Sequence, residues 1–325
     1  MAKSNLNNYA QKDKFKSIQP NTDYSMYLPR NSKYRKVLYT LISDTEDQRD
    51  QLRRELPKRW GVPSPESVIA ITGIHHQFNL KDKNNLKHML IEAVKSTDSW
   101  IVTCGTESGV VNFIEEAVNE HSTLEKYNIP IVGLMSERVI NEIKPLGKHV
   151  KVEKIIKETV KSVRTPIWST KETLDPNHTQ FIVVKDSFEK NSKRSASSEC
   201  REAFESFLSN INDTDCKHAQ YETNAILPIV LVLLEGGIDA LKTTWSVLKN
   251  NNPVVVIEGS GGAADFLSMC HQEHNRKTDS EQVKLSEYVE NLHKLIRKCF
   301  EDKSYEMKKE ATKWATECLT KHELV

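Results

Sequence analysis

No stretch of this sequence is apolar enough to cross a bilayer. The longest apolar run is Ile226–Leu234, far short of the roughly 20 residues a spanning helix needs. The opening residues, MAKSNLNNYAQKDKFK, hold no apolar block, so no signal peptide is expected. Charge of one sign is also lacking. The net charge is +1, which leaves no global field to attract nucleic acid or an anionic membrane. Any anion must be held locally. The six cysteines contain no CxxC pair, and a chain of this length has no need of a disulfide framework. Reduced thiols in a cytosolic protein are the expectation.

Standard chemical motifs are missing too. Without GxxxxGK[ST] the chain is not a P-loop ATPase. Without GxSxG it is not a hydrolase of the nucleophile-elbow type. Gly259-Ser260-Gly261 begins like GxGxxG, with Ala264 in the last place. It follows the sixth apolar run, however, whereas a dinucleotide-binding fold puts this turn after its first strand. That argues against hydride transfer. His75-His76 has no third or fourth ligand at a metal-site spacing, so an exposed turn is expected there and no metal.

What is present is a repeating order of elements. Hydrophobic residues make up 38% and charged residues 28% of the 325, the balance of an ordinary globular chain with a sizeable core. Residues 1–34 are polar and expected to be a mobile segment. Val37–Ile42 reads as a short strand, and Asp44–Leu56 as a surface helix ending near Pro57. From Ser67 on, short apolar runs alternate with amphipathic stretches. The runs are Val68–Ile71, Trp100–Thr103, Pro130–Leu134, Phe181–Val184, Ile226–Leu234 and Val254–Ile257. Between them, sets such as Leu86, Met89, Leu90, Ala93, Val94 and Val110, Val111, Ile114, Ala117, Val118 recur at helical spacing. Phe204, Phe207, Leu208 and Ile211 form another such stripe.

The runs are continuous and rich in β-branched residues, as strands buried on both faces require. This predicts an α/β fold with a doubly wound, mostly parallel sheet. The domain would span 35–278, with an insertion at 136–178 on the strand ends and C-terminal helices over 279–325. Within the insertion, Val150–Val163 reads as a helix and Thr170–His178 as a loop. In the tail, Leu285, Val289, Leu292, Ile296 and Phe300 keep the helical repeat, and Glu301–His322 reads as another helix.

Four of the runs end in small or glycine-rich turns: Thr72-Gly73, Gly105-Thr106-Glu107-Ser108-Gly109, Glu235-Gly236-Gly237 and Glu258-Gly259-Ser260-Gly261-Gly262. Open parallel sheets bind ligands outside the carboxyl ends of their strands. Glycine lets backbone approach a phosphate, and the next helix offers unpaired N–H groups with a partial positive charge. Thr106, Ser108 and Ser260 are candidate hydroxyl donors. Glu235 and Glu258 follow strands, where a general base, a ribose contact and a turn role all remain open. Arg201 and Arg194 are candidate phosphate partners or exposed ion pairs. Asp186 follows the fourth run and is a candidate for the same cleft. Cys104, between strand and helix, reads as a packed small residue or a stabilised thiolate.

Five segments in fixed order carry a family likeness: VIAITGIHHQFNL, WIVTCGTESGVVNFIEEAV, DPNHTQFIVVKDS, PIVLVLLEGGIDAL and PVVVIEGSGGAADF. Together, from about Lys33 to Met269, they resemble the N-terminal region of melastatin-type TRP (TRPM) cation channels, nearest to the ADP-ribose-gated members. That region is a SLOG-type domain, related to cytokinin-activating phosphoribohydrolases. The resemblance implies a Rossmann-like cytoplasmic domain that senses ADP-ribose or a related nucleotide and regulates a calcium-permeable channel. Its partners would be that small molecule and the rest of a tetrameric channel, without nucleic acid and without insertion in the membrane. It carries ligand contacts onto Thr72, Gly73, Gly105, Thr106, Ser108, Gly109, Val110, Gly259, Ser260, Gly261 and Arg201.

Two positions depart from the ADP-ribose-gated pattern. Arg194 stands where those members have a tyrosine, and Gly262 where they have a second arginine. The phosphoribohydrolases carry GGxGTxxE; after Gly236-Gly237 this chain has Asp239-Ala240, and Thr243 at the glutamate position. The resemblance therefore implies that this activity is absent. No residue is assigned a catalytic role and no cofactor is required. A free-standing enzyme using Glu235 or Glu258, and an assembly scaffold without ligand, are the alternatives.

Overall fold

The computed structural model of the chain describes residues 23–30, 33–42, 51–73, 80–105, 109–122, 129–136, 177–184, 196–210, 227–278 and 304–325, with Lys294, Ile296 and Phe300 singly. The apolar runs become strands: β3 (Ser67–Gly73), β4 (Ser99–Cys104), β5 (Ile131–Ser136), β6 (Gln180–Val184), β7 (Ile229–Leu234) and β8 (Val254–Ile257). They join β2 (Lys33–Ile42) in one parallel array, and β1 (Asp23–Arg30) pairs with β2 in antiparallel fashion at the edge. The strand order is β1-β2-β6-β5-β4-β3-β7-β8.

Alternate residues of each central strand enter different cores, which is why the runs do not alternate in polarity. Val68 and Ala70 of β3 face one core, Ile69 and Ile71 the other. The larger core is covered by α1 (Leu56–Trp60), α4 (Ala196–Asn210), α5 (Ile238–Lys249), α6 (Gly262–Thr278) and α7 (Tyr305–Leu319). The smaller is covered by α2 (Lys83–Ser96) and α3 (Gly109–Ser122). The sheet is thus doubly wound, as expected.

Two expectations need correction. From Asp23 onward the segment expected to be mobile contains β1 and the start of β2. An edge strand accepts polar residues and Pro29 because one side makes no ladder hydrogen bonds. The helix expected to end near Pro57 instead runs through it. A π-helical turn (Gln51–Glu55) leads into α1, where Pro57 lies in the first turn and has no N–H to satisfy. Nor is it only a surface element. Leu52 and Leu56 are fully buried, and Trp60 stacks on Trp100 at 5.7 Å. His178 lies in irregular chain just before β6, as expected, and its side chain is buried and bonds Thr103 Oγ1 through Nε2 at 2.7 Å. The expected helix Val150–Val163 lies outside the described residues.

The C-terminal helix packs on the domain. Ser304 caps α7 by accepting from the Met307 N–H. The small side chains Ala311, Ala315 and Cys318 are fully buried, so α7 approaches α5 and α6 closely. Cys318 Sγ contacts the Leu241 carbonyl at 3.8 Å, and Lys321 Nζ donates to Asn251 Oδ1 at 2.9 Å. Burial, with the charge of Glu317, pushes the Cys318 thiol up to about 12, a value at which it is inert at neutral pH.

Candidate functional site

The four glycine-rich turns follow β4, β3, β7 and β8, and these strands are consecutive in the sheet. All four run parallel, so the turns line one carboxyl edge side by side. From β3 the chain moves through β4, β5 and β6 to one side; from β7 it moves to β8 on the other. The order reverses between β3 and β7. Connections leave in opposite directions at such a point and open a crevice, the usual ligand site of this architecture. Thr72-Gly73 and Glu235-Gly236-Gly237 flank that point.

Gly73 is required by close approach. A Cβ there would collide with the Leu234 carbonyl across the crevice and with Val110 Cγ2. Val110 itself is a core residue, buried among Ile71, Phe113 and Ile114. Of the proposed contacts it offers only its backbone. Gly105 is buried and its N–H donates to the Leu134 carbonyl at 2.8 Å. Gly109 opens α3. Thr106 and Ser108 lie outside the described residues, as do Asp186, Arg194 and the pair His75-His76.

The turns after β7 and β8 are stitched together. Glu235 N–H donates to Ser260 Oγ at 2.8 Å, and Ser260 Oγ donates to the Ile257 carbonyl at 2.6 Å. Ala263 and Ala264 N–H donate to the carbonyls of Gly236 and Glu235, each at 2.8 Å. The N–H of Gly259 goes to Asp265 Oδ1 at 2.7 Å. Ser260, expected to offer a donor to a ligand, has spent its single hydroxyl hydrogen inside the chain and is buried. The first turn of α6 is likewise largely occupied.

Gly262 sits at φ +52°, and a Cβ would strike the Gly236 carbonyl. The position where the resemblance puts an arginine is here shaped for glycine alone. Glu235, itself left-handed at φ 49°, is half-buried and lays its side chain against Gly261 and Gly262. Glu258 is exposed and accepts from Gln272 Nε2 at 3.1 Å. Leu80, just before α2, comes within contact distance of Gly259 and walls this end of the edge.

In the first turn of α5, the Ala240 N–H donates to the Gly237 carbonyl at 3.0 Å. Gly237 is its N-cap and provides no side-chain cap. Two residues on, Asp239 Oδ2 meets Arg201 Nη1 at 2.5 Å. This brings Arg201, from α4, to the rim of the Gly236-Gly237 turn. Below that pair the seam continues one turn at a time. Thr243 Oγ1 donates to Glu205 Oε1 at 2.6 Å, and the hydroxyls of Ser209 and Ser246 lie 3.3 Å apart. The helices α4 and α5 thus run side by side in the same direction, joined by a polar ladder with Arg201–Asp239 as its top rung.

Sequence reasoning missed Asp239. Its only signal is the matched spacing of 201/205 and 239/243, which means something only once the two helices are known to be parallel neighbours. No group of three or more His, Cys, Asp or Glu residues able to hold a metal occurs among the described residues. No described helix is long and apolar enough to cross a membrane.

Known proteins are similar to this chain in sequence. The family described as SLOG in TRPM matches residues 39–318, which takes in β3 to β8 and nearly all of α7. A transient receptor potential cation channel subfamily M member-like 2 from Nematostella vectensis is 29% identical over 270 residues, or 78% of this chain and 16% of its own. Human subfamily M member 6 is 29% identical over 226 residues, covering 69% of this chain and 10% of its own. Rat subfamily M member 2 is 28% identical over 225 residues, covering 66% and 14%. The chain therefore spans between 10% and 16% of the length of these relatives.

Proposed function

This chain belongs to the family of SLOG domains found in TRPM channels, and on that premise we propose that it is a ligand-sensing regulatory region of a cation channel. It takes a nucleotide-like anion, ADP-ribose or a related nucleotide, in the crevice between β3 and β7. It lies on the cytoplasmic side and joins the remainder of a tetrameric channel, whose gating it regulates.

The observation that carries this reading is the lateral convergence of four glycine turns on adjacent strands around the point where the strand order reverses. Phosphate oxygens would meet the backbone N–H groups of Gly261, Gly262 and, at the start of α5, Ile238 and Asp239, with Arg201 as the side-chain cation. Route to the rest of the channel is offered by α5, which contacts the glycine turn at one end and carries α7 along its length.

Thermal unfolding of the pure chain against ADP-ribose, cyclic ADP-ribose, AMP and NAD tests the reading. A ligand at a hundred times its dissociation constant adds about 2.7 kcal/mol, a shift of several degrees for a domain of this size. Arg201→Ala is expected to weaken the responding ligand about ten- to a hundredfold, the worth of one charge-assisted contact. Analysis of the same samples for products separates binding from turnover. The absence of any shift at millimolar ligand would overturn the sensor reading.

A further inference from the structure

We infer that Asp239 is a built-in competitor for the anion site, holding Arg201 until a more highly charged ligand displaces it. This rests on the sensor reading above and adds the residue that sets its affinity and its selectivity.

Three features of the α4–α5 seam support the assignment. The first is position. The top rung stands at the carboxyl edge, two residues from Gly237, while the rungs that follow descend away from it. The second is asymmetry of burial. Arg201 is 23% exposed, whereas Asp239 is 68% exposed. The cation is held by the fold and the carboxylate reaches in from water. The third is redundancy. Thr243–Glu205 and the buried Phe204, Phe207 and Leu241 already fasten the seam. An exposed ion pair adds little to such a contact.

The carboxylate of Asp239 also occupies a place favourable to any anion. It sits in the first turn of α5, where the partial positive charge of the helix adds to that of Arg201. A diphosphate or other polyanion offers more charge and more acceptor oxygens than one carboxylate, and bidentate geometry for the guanidinium. It therefore exchanges with Asp239. A monocarboxylate offers nothing Asp239 does not already supply, and is refused. The exchange frees the N-terminal end of α5 from α4 while leaving the lower rungs closed.

The test is calorimetric titration of inorganic pyrophosphate and of ADP-ribose into wild type, Asp239→Asn, Asp239→Ala, Arg201→Ala and the Arg201→Ala/Asp239→Asn double variant. Both Asp239 variants are expected to bind about fivefold more tightly than wild type, the worth of the pair they release. The gain should vanish when Arg201 is absent. Unchanged or weaker binding in the Asp239 variants, with Arg201→Ala still weakened, would overturn the competitor and leave the sensor reading standing. Equal, measurable binding by wild type and Arg201→Ala would overturn the competitor and take Arg201 out of the site, leaving the sensor reading standing; no binding by any form at millimolar probe would overturn both. Unfolding midpoints within about a degree of wild type would show that the variants are folded.

Discussion

Two pairs of parallel helices flank the sheet, and each is bridged by cations and carboxylates, yet the bridges differ in what surrounds them. On the smaller face, Lys87 of α2 is buried and donates to Glu116 Oε2 at 3.0 Å and Glu120 Oε1 at 2.8 Å of α3. On the larger face, Arg201 and Asp239 meet at the open carboxyl edge. The lysine side chain is buried, and its ammonium is held by two glutamates at once. The arginine is itself more exposed and is answered by a single carboxylate. One bridge is a fastening, the other an exchangeable contact. The chemistry of the pairs is nearly the same; burial and position separate their roles.

Breaking the fastening should have the largest effect. Lys87→Ala removes the stem as well as the charge and is expected to cost about 1–3 kcal/mol in urea unfolding. The loss stays below that of a fully buried pair because both glutamates remain mostly in water. Burial by itself lowers the pKa of Lys87, but the hydrogen bonds it donates to Glu120 and Glu116, and their charges, outweigh this and raise it above the usual lysine value. A raised pKa means that the contribution is complete below the unfolded value of 10.5 and is lost as pH climbs through the higher folded value. The difference between wild type and variant should hold steady through neutral pH and shrink only in strong alkali. A difference that shrinks on acidification from neutral pH toward 6 would mean that another group holds the seam.

Much of this comparison is hidden in the sequence, while the scaffold that presents it is not. Six strands, β3 to β8, are legible because helices cover both faces of the sheet and force continuous apolar runs. The four turns are legible because backbone must pass close to backbone there, as Gly73 does against Leu234. The edge strand β1 is a different matter. Tyr24, Met26 and Leu28 alternate, but the stretch is short, polar and interrupted by Pro29, so local pattern alone does not separate it from a loop. Ser260 shows how composition misleads. A hydroxyl within a glycine turn has the chemistry of a ligand donor, and here it joins two loops. Asp239 is the converse case. It looks like a departure from a glycine motif, and only the packing of α4 beside α5 gives it a partner. Side chains that act across a seam have no signature within either helix.

The middle rung of the ladder should give an intermediate effect. Thr243 is fully buried, and its hydroxyl hydrogen is shared between Glu205 Oε1 at 2.6 Å and the Asp239 carbonyl at 3.1 Å. Thr243→Val keeps the volume and removes the donor. The expected cost is about 1 kcal/mol, that of one hydrogen bond to a charged acceptor that is partly in water. Anion affinity should be unaltered, because the top rung does not pass through this hydroxyl. A change in affinity comparable to that of Arg201→Ala would show that the rungs move together.

The bottom rung should matter least, and for that reason it tests the independence of the rungs most cleanly. Ser209 already donates to the Glu205 carbonyl at 2.9 Å, so the 3.3 Å contact with Ser246 depends on a hydrogen from Ser246. Ser246 is half-buried, and water can replace its partner. Ser246→Ala removes a long hydrogen bond, worth about 0.5 kcal/mol at most in such a setting. It also gains about the same amount of helix propensity within α5. The two nearly cancel, and urea unfolding should place the variant within about 0.3 kcal/mol of wild type. A loss above about 1 kcal/mol would show that the ladder is cooperative. Asp239 could then not exchange its partner without loosening the whole seam, and the distinction between a fastened face and an exchangeable one would fail at its base.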